Sequence, residues 1–346
     1  MSAPPTIAGP GPRNALSDIA GLRVGNAEDA AARTGVTVVI ADAPFACGVD
    51  VRGAAPGTRE TDLLAPTATV PRVHALVLAG GSAWGLAAAD GAMAALRDAG
   101  MGFTVGDVRV PIVPAAILFD LGVGTKPWAR AGGGEAPHRA LGLAAAKAAM
   151  ARADEAIGSV GAGLGCTTAD AAGGLGTASV VIEGVGTVAA LVAVNAVGSA
   201  LVEGGPSFLG EAWLLDGEAW SGGTPPRPTG LATKLHAASG ASTTIGIVAT
   251  DMPLDKAGCA RLAAHGQDGY ARALVPVHTA LDGDLVFGVS TGGGEPCDDP
   301  AALAVLGEAA TRVMARAIMR GVHAASAQPD GPPAWTERFP ELASSA

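Results

Sequence analysis

Short runs of apolar residues, several of them rich in valine, alternate along the chain with alanine-rich segments of helical periodicity. A β-branched run between turn signals predicts a strand, and apolar positions spaced three or four apart predict a helix that packs on a sheet. The predicted strands are residues 35–40, 75–79, 178–182, 187–194, 243–250 and 285–290. The predicted helices are residues 83–97, 141–156, 254–274 and the segment that begins at Pro300.

Strand, helix, strand and helix follow one another in the last third of the chain, which predicts a mixed α+β layered fold. Asp299 followed by Pro300 is a favourable helix start, because aspartate caps the first turn and proline fits its first position. Residues 184–202 carry no charge, but glycines and Asn195 interrupt them, so we predict two buried strands rather than a membrane span. The last twenty residues contain several prolines and predict a loose tail.

Composition narrows the possible functions. The chain is 49% apolar with 51 glycines in 346 residues, which predicts a packed core with many tight turns. A net charge of −10 and only 3% aromatic residues exclude nucleic-acid binding through phosphate contacts or base stacking. Isolated cysteines, histidines without ligand spacing and no visible signal peptide predict a cytoplasmic protein with no disulfide framework, metal, cofactor or membrane partner.

A hydroxyl residue, Thr243, opens a predicted strand directly after a long segment, residues 203–242, rich in glycine, proline, serine and threonine. If the chain were cut before Thr243, this residue would carry both a hydroxyl nucleophile and a free α-amine. An α-amine has an ordinary pKa of about 7.7–8.0, which suits a base at neutral pH. The same pattern fits an ordinary loop-to-strand boundary, so it does not decide between the two.

Three other motifs fit tight packing as well as they fit chemistry. Residues 80–85 (GGSAWG) fall short of a nucleophile elbow around Ser82, because Trp84 stands at a position that requires glycine. The glycine-rich residues 161–165 precede Cys166, but no local motif supplies that thiol with a histidine. The sequence Asp-Gly-Asp at residues 282–284 fits a hairpin turn.

Long strings, in order along residues 15–325, resemble the L-aminopeptidase/D-esterase (DmpA) family, which includes β-peptidyl aminopeptidases and nylon-oligomer (6-aminohexanoate-oligomer) hydrolases. The strings are residues 21–25, 50–52, 56–62, 79–86, 110–120, 158–163, 173–179, 191–197 and 242–292. The resemblance implies a four-layer αββα sandwich of the N-terminal-nucleophile-like type, similar to that of ornithine acetyltransferases. It also implies that residues 1–346 form a single self-processing hydrolase domain.

The family's precursors cut themselves ahead of a serine, threonine or cysteine. The resemblance places the cut between Ser242 and Thr243, which gives an alpha chain, residues 1–242, and a beta chain, residues 243–346, that stay associated. It implies an amidohydrolase of the aminopeptidase type, acting through an acyl-enzyme on amide or ester bonds of small substrates with a free amino end. A homo-oligomer of cleaved alpha/beta pairs is expected from the family.

Four positions match catalytic residues of the family. Thr243 matches the nucleophile, and Asp282 and Asp284 match the acidic pair that orients the nucleophile and its amine. A carboxylate beside an ammonium group favours the charged amine, so one of the two can tune the pKa of that amine. Asn195 matches the active-site asparagine, whose amide donates a hydrogen bond to the oxyanion.

Departures from the family pattern define the alternatives. Ser242 stands where many members have asparagine, and Phe119 and Asp170 stand where nylon-oligomer hydrolases have a tyrosine and a lysine. We assign Phe119 and Asp170, with Ser82 and Trp84, to the substrate pocket. The alternatives to an aminopeptidase-like amidohydrolase are a nylon-oligomer hydrolase, an acyltransferase, or a catalytically silent family member that acts as a binding or scaffold protein.

Overall fold

The computed structural model describes residues 7–152, 155–215, 230, 232–234, 242–329 and 331–343. Within these ranges the strands are β1 (Ile7–Gly9), β2 (Leu22–Asp29), β3 (Thr34–Val51), β4 (Thr58–Arg59), β5 (Val73–Ala79), β6 (Phe103–Val105), β7 (Val108–Val110), β8 (Ala115–Ile117), β9 (Leu175–Ile182), β10 (Gly186–Ala193), β11 (Ile245–Thr250) and β12 (Leu285–Ser290). The α-helices are α1 (Ala88–Asp98), α2 (His138–Met150), α3 (Lys256–Ala273), α4 (Pro300–His323), α5 (Trp335–Arg338) and α6 (Pro340–Ala343).

The long strand β3 belongs to both halves of the β structure. Its first part pairs antiparallel with β2 and β5, and its last part pairs antiparallel with β12. The first sheet therefore runs β1-β9-β10-β11-β12-β3, and the second continues from β3 through β5 and β8 to β4, with β2 on its other side. Helices α3 and α4 pack on the first sheet, and α1 and α2 pack on the second.

Alternate residues of β10 face two different cores. Val188, Ala190 and Val192 belong to the core beneath α3 and α4, whereas Ala189 and Leu191 belong to the core between the two sheets. A third core lies between the second sheet and helices α1 and α2. Helix, sheet, sheet and helix thus stack as the αββα sandwich that the resemblance implies.

A strand covered on both faces is apolar at every position, which explains the long uncharged stretch of the sequence. Residues 186–193 of that stretch form one buried strand, β10, rather than the two that were predicted, and β10 pairs antiparallel with β9. None of the described helices is long and apolar enough to cross a membrane.

Most predicted elements occur with shifted ends. β12 matches its prediction, and Asp299 caps α4 by accepting a hydrogen bond from the backbone N–H of Ala301 at 3.0 Å. The helix predicted at residues 83–97 begins with a 3-10 turn, Ser82–Ala87, before α1. The helix predicted at residues 141–156 starts earlier and ends earlier, as α2.

Two local predictions were wrong. The last residues are not a loose tail throughout, because α5 and α6 fold there and the ring of Trp335 is fully buried and stacked on Phe208. Residues 282–284 do not form a hairpin turn, because the strand that follows them, β12, is parallel to β11. The segment instead runs beside Ser242, with Asp282 as its bridge partner.

Candidate active site

Three strand ends meet at one edge of the first sheet. β11 and β12 are parallel neighbours, so the residues just before Ile245 and Leu285 lie side by side. β10 is antiparallel to β11, so the residues after Ala193 reach the same edge. Topology thereby gathers four of the residues assigned from the sequence, which are all buried: Thr243, Asn195, Asp282 and Asp284.

Thr243 lies with its hydroxyl against the peptide bond that precedes it. Its Oγ1 donates a hydrogen bond to the carbonyl oxygen of Ser242 at 2.5 Å, and its backbone N–H donates to the carbonyl oxygen of Asn195 at 2.8 Å. The Thr243 hydroxyl, and the carbonyl and N–H groups of the peptide bond between Ser242 and Thr243, are thus each held by a short contact. This arrangement places the Thr243 hydroxyl against the carbonyl group of the preceding peptide bond at a buried position.

The backbone N–H of Gly283 faces the same group of atoms. It lies 3.1 Å from the carbonyl oxygen of Ser242 and 3.2 Å from Oγ1 of Thr243, so it can donate to either. A Cβ atom at position 283 would come within 2.8 Å of Oγ1 of Thr243 and 2.5 Å of the carbonyl oxygen of Ala55. Only glycine therefore allows this close approach, which puts a hydrogen-bond donor where an oxyanion on Ser242 would form.

The two carboxylates bind backbone groups around Thr243 in the intact chain. Asp282 accepts from the N–H of Val197 at 3.1 Å and from the N–H and hydroxyl of Thr279 at 2.9 and 2.7 Å. Asp284 accepts from the N–H of Thr244 at 2.7 Å. Burial raises the pKa of Asp282, and the nearby charge of Asp284 raises it further.

Asn195 has an amide orientation that its neighbours fix. Its Oδ1 accepts from the backbone N–H of Thr167 at 3.0 Å, and its Nδ2 donates to the carbonyl oxygen of Phe119 at 2.7 Å. An N–H can only donate and a carbonyl can only accept, so the reversed amide would lose both bonds. One hydrogen of Nδ2 remains beyond the bond to Phe119.

Comparison with known proteins gives this geometry its context. Peptidase family S58 matches residues 14–331 of the chain. An aminopeptidase of Mycobacterium leprae, described as uncharacterized, is 41% identical over 95% of this chain and 95% of its own length. The chain belongs to peptidase family S58.

Two solved structures share the fold of this S58 peptidase. A β-aminopeptidase of a Burkholderia species superposes with a TM-score of 0.69 at 22% identity, over 97% of this chain and 95% of the other. An L-aminopeptidase D-Ala-esterase/amidase from Ochrobactrum anthropi, described as a variant of the Ntn hydrolase fold, gives a TM-score of 0.65 at 18% identity over 98% of both chains. Family and fold together identify a hydrolase of peptide bonds.

The S58 peptidase holds a lysine at this site that the sequence argument missed. Nζ of Lys234 donates to the carbonyl oxygen of Thr167 at 2.7 Å and lies 3.4 Å from Oδ1 of Asn195 and 3.3 Å from Oγ of Ser242. Its backbone N–H donates to the carbonyl of Val197 at 3.0 Å. Lys234 lies in a segment of low sequence regularity eight positions before Ser242, so no periodic pattern could have indicated it.

A histidine of the S58 peptidase was also missed. The sequence shows only that the histidines lack the spacing of metal ligands, but His278 lies beside the acidic pair. Its backbone N–H donates to Oδ2 of Asp284 at 3.1 Å, and its Nδ1 lies 3.0 Å from the same oxygen. The only sequence signal is its position four residues before Asp282. Within the described ranges, no group of three or more histidine, cysteine or acidic residues is arranged to hold a metal ion.

Two of the four residues assigned to the substrate pocket lie around β5 and β8. Trp84 is 49% exposed, with its ring edge-on to Trp128 at 6.1 Å. The backbone N–H of Ser82 donates to the carbonyl of Leu118 at 2.9 Å. Among the described hydrogen bonds, none joins Ser82 to Thr243. Their role in the pocket stays a prediction.

The other two residues assigned to the pocket differ in their links to the site. Phe119 accepts a hydrogen bond from Asn195 through its backbone carbonyl. Asp170 binds the hydroxyl of Ser199 at 2.7 Å, and burial raises the pKa of its carboxyl. In the described part of the chain, Asp170 makes no hydrogen bond to Thr243, so its role in the pocket also stays a prediction.

Proposed function

We propose that this S58 peptidase is made as an inactive precursor that cuts itself between Ser242 and Thr243. The observation that carries the proposal is the contact of the Thr243 hydroxyl with the carbonyl of Ser242, with the N–H of Gly283 on the same oxygen. A nucleophile and its acyl group then lie in one peptide segment, and the N–H of Gly283, from the segment beside it, supplies an oxyanion donor. Self-cleavage would give an alpha chain, residues 1–242, and a beta chain, residues 243–346.

Cleavage begins with an N→O acyl shift. Oγ1 of Thr243 attacks the carbonyl carbon of Ser242, and the negative charge on the carbonyl oxygen is stabilised by the N–H of Gly283. The C–N bond then breaks, and the proton of the hydroxyl ends on the nitrogen of Thr243. Water hydrolyses the resulting ester, which leaves a carboxylate on Ser242 and restores the hydroxyl of Thr243 beside a free α-amine.

The mature site then turns over amide substrates by the same steps. The α-amine of Thr243 accepts the proton of its own hydroxyl, and Oγ1 attacks the substrate carbonyl to form an acyl-enzyme, which water hydrolyses. Asp282 and Asp284 flank Gly283 and are buried, and Asp284 accepts from the N–H of Thr244, next to Thr243, so this pair is proposed to act on the new amine. Asn195 supplies the remaining hydrogen of Nδ2 to the oxyanion.

The substrates we propose are small amides, peptides or esters with a free amino end. The family and the aminopeptidase name of the mycobacterial relative support this class. Two buried carboxylates at the site suit a substrate that carries an ammonium group. We also propose that the cleaved pairs assemble as a homo-oligomer.

The first test is the intact mass of freshly purified protein under denaturing conditions. Self-cleavage divides 33.6 kDa into pieces of roughly 23.5 and 10 kDa, and the smaller piece begins with Thr243. Amino-acid amides and β-peptides are then the substrates to screen. A single species of full mass that is stable for days, and that releases no product from these amides, would contradict the proposal and favour a silent binding protein. Transfer of an acetyl group to an amino acid would favour an acyltransferase.

A further inference from the structure

The amine of Lys234 contacts groups on both sides of the proposed scissile bond. It touches the side chain of Ser242, which provides the acyl half of that bond, and the amide of Asn195, whose backbone carbonyl holds the N–H of Thr243. Its third contact is the carbonyl oxygen of Thr167. Thr167 also donates its N–H to Asn195, so these groups form one connected set.

Three contacts match the three hydrogens of an ammonium group. The Thr167 carbonyl can only accept, and Oδ1 of Asn195 must accept because neighbouring groups fix the amide orientation. The hydroxyl of Ser242 is the one partner that can either accept from Lys234 or donate to it. A charged lysine therefore fixes the Ser242 hydroxyl as an acceptor, and a neutral lysine leaves it as the donor.

Within the described part of the chain Lys234 forms no ion pair, and its three hydrogen-bond partners are neutral oxygens. Burial lowers the pKa of its amine to about 7, although the charge of Asp282 and the thiol of Cys166 act in the opposite direction. The lysine therefore changes its charge in the range in which the protein would process itself.

We propose that Lys234, in its charged form, is a positioning residue for self-cleavage, which holds the side chains of Ser242 and Asn195 on the two sides of the scissile bond. The inference rests on the proposed function, because it concerns the rate of the cleavage proposed there. It adds to the site a lysine from the part of the chain just before the cut.

The test compares the conversion of full-length precursor into two pieces in wild type and in Lys234→Met, by intact mass at a series of pH values. Methionine keeps the length of the side chain but donates nothing. A charged hydrogen bond of this kind corresponds to a change in rate of about ten- to hundredfold. We expect Lys234→Met to be at least about tenfold slower at pH 6.

The ratio of the two rates is the diagnostic quantity, because a purely structural role would not make it depend on pH. The rate of wild type divided by the rate of Lys234→Met should fall by about threefold or more between pH 6 and pH 8.5, as Lys234 loses its proton. The carboxylate of Asp282 is present in both proteins, and in wild type its charge favours the protonated form of Lys234. Burial raises the pKa of Cys166, so its thiol stays protonated over this range.

Lys256→Met is the matched control. Lys256 also donates to two backbone carbonyls, those of Leu63 and Ala68, but it lies at the start of α3 on the other end of β11 and β12. Its replacement should leave the cleavage rate and its pH profile unchanged. Ser242→Ala provides a second variant should Lys234→Met not fold, because it removes one acceptor of the lysine. It should slow cleavage less than Lys234→Met does, with the same fall towards high pH.

Each outcome has a separate meaning. If wild type cleaves and Lys234→Met cleaves equally fast, or if the ratio does not change with pH, the inference fails and the proposed function stands. If the ratio grows with pH, the neutral amine is the active form, and a role for the charged amine is wrong. If wild type never cleaves, the proposed function and this inference fail together.

Discussion

Two pairs of neighbouring parallel strands, β5/β8 and β11/β12, each have buried polar residues at one end. At the ends of β5 and β8, the N–H of Gly81 donates to Oδ1 of Asp120 at 2.9 Å, and the hydroxyl of Thr34 donates to its Oδ2 at 2.6 Å. Lys126 lies 3.7 Å from the same carboxylate. A glycine N–H, a threonine, an aspartate and a lysine thus recur at both places, so residue type alone does not separate them.

The partners of these groups differ. At β5/β8, the hydroxyl of Thr34 donates to the carboxylate of Asp120, and Lys126 forms an ion pair with the same carboxylate. Thr243 instead donates to the peptide carbonyl that it would attack, and the described hydrogen-bond partners of Lys234 are neutral oxygens. The two clusters therefore differ in the charge of the partners of their threonine and lysine and not in residue type, and the proposed reactive site is the one whose partners are neutral.

Replacing the two threonines should separate the regions most clearly. Thr243→Ala removes the nucleophile, so we expect no self-cleavage and a loss of turnover of at least about 10³-fold. Thr34→Val should still cleave, but it should lose about 1–3 kcal/mol in free energy of unfolding because Asp120 loses a hydrogen bond. Intact mass and urea denaturation measure the two effects. Two pieces from Thr243→Ala would contradict the assignment of the nucleophile.

The two aspartates should differ mainly in their effect on stability. Asp120→Asn leaves the buried Lys126 without its opposite charge, which costs about 3–5 kcal/mol when a buried pair is broken. Asp282→Asn removes a carboxylate that is bound to neutral donors, so its cost should be smaller, about 1–3 kcal/mol. Urea denaturation of both variants in a Thr243→Ala background measures this. A larger loss in Asp282→Asn would reverse the comparison.

The N–H groups of Gly283 and Gly81 bind different acceptors, the Ser242 carbonyl and the Asp120 carboxylate. A Cβ on Gly283 would press on Oγ1 of Thr243 and on the Ala55 carbonyl, so Gly283→Ala should displace the oxyanion donor. Loss of one such donor lowers rates by about 10²–10³-fold in other enzymes, and we expect a similar fall in the rate of self-cleavage. Gly81→Ala introduces a side chain at a φ of +86° and should lower stability instead. Equal cleavage rates in Gly283→Ala and wild type would remove Gly283 from the mechanism.

Sequence patterns predict the strands β5, β9, β10, β11 and β12 because these strands are buried almost throughout, whereas the exposed β6 and β7 and the partly exposed β2 carry no such pattern. The same patterns cannot show that the ends of β10, β11 and β12 meet, which depends on strand order; the resemblance supplied that grouping through Thr243, Asn195 and the aspartates. Gly283 acts through a backbone N–H, which has no signature in sequence. Lys234 reaches the site by a single long side chain from an irregular segment, so its role is visible only in three dimensions.

The smallest expected effect is a difference between Lys234 and Lys126 in how each changes the free energy of unfolding with pH. Burial lowers the pKa of Lys234 to about 7, whereas a lysine in the unfolded chain keeps its ordinary value of about 10.4. Between these pH values the unfolded chain binds one more proton, so the free energy of unfolding rises with pH. The intact Thr243→Ala precursor should gain up to about 1.4 kcal/mol per pH unit from this group between pH 7.5 and 9.

Adding Lys234→Met to that precursor should remove this part of the change in free energy of unfolding with pH. Lys126 is present in both proteins. The carboxylate of Asp120 raises the pKa of Lys126 against the effect of burial, so Lys126→Met in the same background should change the slope less. Urea denaturation at several pH values measures all three proteins. Equal slopes with and without Lys234 would mean that its amine ionises as it does in water, and the electrostatic contrast between the two strand pairs would then be lost.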